Sequence, residues 1–115
     1  MYVDNIKNIN EISIKAPGVL NAVKKTLIGP DQGWQGWVMR LFTLAPEGHS
    51  PRHIHPWPHI NYITGGEGIL FLEGKEYPLE SGSVAYVPGG AEHQFQNRGK
   101  EHFSFICIVP EEGDK

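Results

Sequence analysis

A single cysteine, Cys107, stands in 115 residues. One thiol cannot close an intramolecular disulfide, so a secreted disulfide scaffold is not expected. Long apolar runs are lacking as well. None approaches the roughly 18 residues of a membrane-spanning helix, and the opening MYVDNIKNIN has no apolar stretch behind a basic start. Like charges do not cluster into a tail. The formal net charge is -3 and the isoelectric point about 6.0. A nucleic-acid binder would instead show a basic patch and a high isoelectric point. The expectation is a cytoplasmic protein with neither nucleic acid nor membrane among its partners.

No stretch carries a convincing amphipathic helical period, and there is no internal repeat. The length suits one domain, residues 1–115. A domain of this size buries only about two-thirds of its unfolded surface. A tightly packed barrel or a partner subunit must therefore supplement the core. The chain has 14 glycines and 9 prolines, spread evenly between short runs rich in β-branched and aromatic residues. Residues 1–18 read as an irregular arm or edge strand. Strands are expected over Val19–Ile28 and Trp34–Leu44, the latter stopping at Ala45-Pro46-Glu47-Gly48. Further strands follow in HINYIT, GILFLE, KEYPLE, SVAYVP, HQFQNR and FSFICIV. Many short strands separated by turn signals predict an all-β sandwich or barrel.

The chain has six histidines, and their placement is the strongest signal. In His53-Ile54-His55, residues two apart share a face if the segment is extended, so both imidazoles can reach one ion. A helix would need a spacing of three or four. His59 follows beyond Pro56 and Pro58, which stiffen the connection. His93 comes from a distant segment opened by Pro88-Gly89-Gly90. Nothing in the spacing demands His49 or His102.

Two segments resemble the two cupin motifs. Gly48, His53, His55, His59 and Gly66 follow the first, with the leading glycine one residue closer than usual and His59 where the family has Glu. Gly82, Pro88, Gly90, His93 and Asn97 follow the second at every position. The VMRLFTLAPEG run, the RHIHPWPH core and the ICIVPEEG ending resemble the small four-histidine monocupins that bind manganese. The resemblance implies a jelly-roll barrel (the double-stranded β-helix) and a homodimer. It also implies one divalent metal on His53, His55, His59 and His93, with Mn as the ion. Imidazole chemistry alone equally admits Fe, Zn, Ni or Cu.

With His59 in place of a carboxylate, a bound divalent ion keeps its formal +2 charge and favours anionic ligands. Four ligands on an octahedral ion leave two positions for substrate. Phe95 shares a face with His93, and Asn61 and Ile63 share one with His59. Spacing leaves the parity of the last strand open; the resemblance places Phe105 and Cys107 inward. Arg40 is either a solvent-facing edge residue or, if inward, a carboxylate anchor. Trp34, Trp37 and Trp57 read as packing or dimer contacts, and the arm and the Trp-rich strand as the expected interface.

The first functional expectation is a metal-dependent oxidoreductase acting on a small organic anion or enol. A metal-assisted isomerase, hydrolase or decarboxylase is the second, with Tyr62, Tyr86 and Glu92 as acid–base candidates beside Arg40 and Cys107. The third is a non-catalytic small-molecule binder. Fold membership does not choose between them.

Overall fold

The computed structural model describes residues 1–114. Nine strands form one curled antiparallel sheet: β1 Ile12–Ser13, β2 Leu20–Ile28, β3 Trp37–His49, β4 His59–Gly65, β5 Glu67–Leu72, β6 Lys75–Glu80, β7 Val84–Val87, β8 His93–Gln96 and β9 Phe103–Pro110. Their order is β6-β5-β8-β3-β9-β4-β7, with β2 added on β3 and β1 on β2. This is the expected all-β jelly roll. Short 3-10 turns at Ile6–Asn8, Pro30–Gln32 and Glu111–Asp114 are the only helical segments among the described residues. None is long and apolar enough to cross a membrane.

Period-two alternation decides what faces inward. On β4, His59, Asn61 and Ile63 are buried while Ile60 and Tyr62 are exposed. On β9, Phe103, Phe105, Cys107 and Val109 point in. The core is built around a phenylalanine stack: Phe105 lies 4.3 Å from Phe95, 5.4 Å from Phe103 and 5.6 Å from Phe42, centroid to centroid. Leu44, Ile63, Leu70 and Val87 complete it. Pro78 sits in β6, an outer strand of the sheet, where a missing N–H removes no ladder bond from the interior.

Three local features hold the frame that carries the site. Gly66 turns β4 into β5 at φ +77°, and a Cβ there would stand 2.1 Å from the His102 carbonyl oxygen, so only glycine fits. Asn97 is buried, yet its amide is fully engaged. Nδ2 donates to Leu44 O (2.9 Å) and Glu101 O (2.8 Å), and Oδ1 accepts from Gly99 N (2.9 Å). The motif asparagine is thus a brace across the β8–β9 connection.

The third feature corrects an expectation. β3 does not stop at Ala45-Pro46-Glu47-Gly48 but runs on to His49. Glu47 takes φ 69°, and the β2–β3 register shifts between Leu20 and Ala22. The turn signal is absorbed as a bulge, which re-aims the chain toward the histidine segment.

Candidate metal centre

His53 and His55 come from an irregular segment between β3 and β4, His59 from the first residue of β4 and His93 from the first residue of β8. The strand expected for His53-Ile54-His55 reduces to one isolated bridge, His53 to His93. Pro51, Pro56 and Pro58 remove the amide donors a continuous ladder needs. The imidazoles converge all the same. His53 and His55 centroids are 4.9 Å apart, and His55 lies 4.7 Å from His93 and 5.4 Å from His59.

The nitrogens can be assigned roles from their partners. His55 Nδ1 meets Trp57 O at 2.7 Å, and His93 Nδ1 meets Ala91 O at 3.0 Å. His59 Nδ1 meets Asn61 Oδ1 at 2.7 Å. A carbonyl oxygen only accepts, so each of these Nδ1 atoms carries the hydrogen. Each Nε2 is then left with its lone pair. His59 Nε2 and His93 Nε2 lie 3.2 Å apart, two acceptors facing one another, and His53 Nε2 lies 3.1 Å from His93 Nε2. The candidate ligand atoms of His53, His55 and His93 all fall within 4.8 Å of one another.

Such a set calls for a cation, and a proton is poorly suited. Burial drives the His59 pKa down to about 3, against the opposing hydrogen bond to Asn61. Burial, with the neighbouring His93 and His55, takes His53 down to about 4. His93 is lowered as well, again chiefly by burial. Neutral imidazoles with free Nε2 atoms are the form that binds a divalent metal. Metal–nitrogen bonds of ~2.1 Å with ligands about 90–110° apart put neighbouring nitrogens about 3.0–3.4 Å apart. The residues present therefore fit a divalent ion.

A cavity of about 530 Å³ opens on these histidines. Phe95, Phe105, Cys107 and Arg40 line it, so Arg40 points inward rather than to solvent. Arg40 Nη2 donates to Cys107 Sγ at 3.1 Å, and burial raises the Cys107 pKa against the opposing pull of Arg40.

Several expected site residues lie elsewhere. Tyr62 is 51 % and Tyr86 62 % exposed, paired strands apart on the outer face of the sheet, because each is one residue out of phase with the inward positions. Glu92 is not on the cavity wall; its backbone N–H donates to Glu73 Oε1. Ile63 is also not on the wall. It is fully buried beside Phe105 in the core, two residues beyond the last cavity-lining position on β4. His49 contacts Ser50 O and Gln94, and His102 is exposed.

Trp57, read from sequence as a packing or dimer residue, belongs to the site. Its ring stacks on His55 at 5.0 Å and 11°, and its carbonyl fixes the His55 tautomer. Lys24 and Asp114 also line the cavity. Neither is singled out by the sequence: Lys24 reaches Arg40 through the β2–β3 pairing, and Asp114 through the turn that follows β9, the other neighbour of β3.

The Cupin_2 family model, a cupin domain, matches residues 40–109. The oxalate-binding protein of Thermotoga maritima is 32% identical over 74 residues, covering 61% of this chain and 61% of that protein. The 1-methylthio-D-xylulose 5-phosphate methylsulfurylase of Rhodospirillum rubrum is 30% identical over 77 residues, covering 67% of this chain and 49% of that protein. The match thus spans less than two-thirds of the length of either relative. Among solved structures, the polyketide cyclase RemF from Streptomyces resistomycificus superposes with a TM-score of 0.90 at 24% identity, over 96% of this chain and 79% of that one. A predicted oxalate decarboxylase from Thermotoga maritima gives 0.86 at 22% identity, over 95% and 98%. At these identities the superpositions speak to the fold.

Proposed function

The chain belongs to the cupin family, and on that footing we propose that it is a metal-dependent oxidoreductase acting on a small organic anion or enol. One divalent transition metal is held by His53, His55, His59 and His93. The observation that carries this reading is the set of Nδ1 atoms tied to Trp57 O, Asn61 Oδ1 and Ala91 O, which leaves Nε2 lone pairs facing each other. Manganese follows from the resemblance to four-histidine monocupins, and Fe, Zn, Ni and Cu share the same donor chemistry. A bound metal supplies a Lewis-acidic, redox-capable centre for oxygen donors. The protein's own contribution is orientation: Asn61 and Trp57 fix two imidazoles, and Phe95 and Phe105 give the cavity an apolar aromatic wall.

The non-redox alternative, an isomerase, hydrolase or decarboxylase, needs a general acid or base in the cavity. Tyr62, Tyr86 and Glu92 are outside it, and the carboxylate on its wall among the described residues, Asp114, is engaged with Lys24 and Arg40. Metal analysis of protein purified without added metal, followed by oxygen uptake with candidate acids and enols, tests the choice. A redox metal with substrate-dependent uptake supports the proposal; zinc without uptake overturns it.

A homodimer is part of the same reading. Ile60 pairs with Tyr86 and Tyr62 with Val84 on the outer face of β4 and β7, and all four are exposed. A contiguous apolar patch on an edge strand is the surface a second copy would cover. The exposed, stacked Trp34 and Trp37 add a second such spot.

A further inference from the structure

Two cations point into the barrel. Lys24 on β2 lies opposite Phe42 of β3, and Arg40 stands two residues from Phe42 on the same face. Both line the cavity that holds the histidines. Inward charges are costly to desolvate unless paired. The pairing here is incomplete. One oxygen, Asp114 Oδ1, serves both, at 3.4 Å from Lys24 Nζ and 3.5 Å from Arg40 Nη1. Arg40 Nε is buried with no hydrogen-bond partner among the described residues. Lys24, Arg40 and Asp114 together leave one uncompensated positive charge on the cavity wall. A barrel needing only a plug would place apolar side chains at these positions.

The carboxylate that does the sharing comes from the C-terminal 3-10 turn, Glu111–Asp114. The turn passes so close to the site that a Cβ on Gly113 would stand 2.6 Å from Trp57 Nε1. The same Trp57 stacks on His55. Arg40, Cys107 and Asn61 occupy one row across β3, β9 and β4. At the usual strand spacing Arg40 is therefore ~10 Å from Asn61, backbone to backbone. A ligand of a few carbons, with its carboxylate on Arg40, reaches the histidines that Asn61 helps to hold.

We propose that Arg40 and Lys24 form a seat for the carboxylate of a small organic acid whose other end presents an oxygen to the histidines, and that Asp114 holds the seat until that acid displaces it. The substrate class is then a bifunctional oxyacid with a short apolar or planar body against Phe42 and Phe105. This deepens the metal-enzyme reading, since the far end of the acid rests on it, while the seat's own contacts among Arg40, Lys24 and Asp114 involve none of the proposed ligands.

Calorimetric titration with benzoate, and with benzamide as its neutral counterpart, tests the seat on zinc-loaded and metal-free protein. Benzoate should bind the metal-free form at least about tenfold more tightly than benzamide. Arg40→Met and Lys24→Met should each weaken benzoate by about tenfold. Asp114→Asn should tighten it by about threefold, because the internal competitor is gone. If Arg40→Met fails to fold, Lys24→Met, at a partly exposed position, carries the test. Equal binding of benzoate and benzamide to metal-free protein overturns the seat, as does unchanged benzoate affinity in folded Lys24→Met or Asp114→Asn. Zinc that does not bind while benzoate follows Arg40, Lys24 and Asp114 supports the seat and removes the metal reading. Zinc that binds while benzoate answers to zinc alone does the reverse.

Discussion

Asn61→Leu isolates how much His59, as a proposed metal ligand, owes to its partner. The variant keeps the size of the side chain and removes the acceptor that His59 Nδ1–H meets at 2.7 Å. Asn61 is 4 % and His59 6 % exposed, so water cannot take over the bond. Nδ2 also meets Ile106 O, at a long 3.4 Å, and the amide hydrogen-bonds the Cys107 thiol, so Asn61→Asp serves to separate these contacts from the His59 bond. An orphaned buried N–H costs about 1–3 kcal/mol. Loss of a partner that orients a ligating histidine usually weakens metal binding by roughly 10–100-fold, or about 1.4–2.8 kcal/mol. The assay is competition against a chromophoric chelator, with the same metal for wild type, Asn61→Leu and Asn61→Asp. Asn61→Asp retains an acceptor and adds negative charge, so it should match or exceed wild-type affinity. If Asn61→Leu stays within about twofold of wild type, the idea that Asn61 sets the His59 tautomer fails.

His59→Glu restores a carboxylate to the ligand set. One unit charge at ~4 Å is worth about 4 kcal/mol at an effective dielectric of 20, and after rearrangement azide should still bind about tenfold more weakly; equal or tighter azide binding at matched metal loading would refute this. Gly66→Ala should lower stability by ~2 kcal/mol or more, read from the urea midpoint, because its Cβ would lie 2.1 Å from His102 O; an unchanged midpoint would contradict the turn. Metal-free protein should lose stability as the pH falls from 7 to 5. Unfolded His59 and His53 take protons near the ordinary imidazole value of 6.5, while the folded ones wait until about 3 and about 4, so the unfolded state binds more protons in that window. A flat urea midpoint between pH 7 and 5 would count against the buried neutral histidines. Light scattering at micromolar concentration should give a dimer mass, and Ile60→Lys with Tyr86→Lys should give a monomer; a wild-type monomer defeats the proposed interface.

The strands were legible because their residues alternate with turn signals, and Leu20–Ile28 and Phe103–Pro110 fall almost where the pattern puts them. The overrun of β3 was not, because Pro46 and Gly48 look the same in a bulge as in a turn. Tyr62 was misplaced through nearness in sequence. Strict alternation from Asn61 already assigns it to the outer face. Parity in β9 needed the resemblance, since Phe103-Ser104-Phe105-Ile106 is apolar enough on both faces to suit either. Lys24, Asp114 and the role of Trp57 lie beyond reach: the first two depend on the register of β2 and β9 against β3, and the Trp57 contacts with His55 depend on the conformation of an irregular segment.

The segments bearing the histidines are fastened to one another by main chain. His53 and His93 exchange N–H···O bonds at 3.1 Å, and Gly90 N–H donates to His55 O at 2.8 Å. Gly89 lies so near Pro56 that a Cβ would come within 2.2 Å of its carbonyl oxygen. These bonds use main-chain atoms and none of the imidazole nitrogens, so loading should require little ordering of the chain. The proposed metal should then exchange on a folded barrel, without the unfolding that zinc-finger modules undergo on chelation. On the proposed metal reading, the identity of the ion should follow cellular supply and the Irving–Williams order as much as the fold, and the same chain expressed in different growth media should emerge carrying different metals.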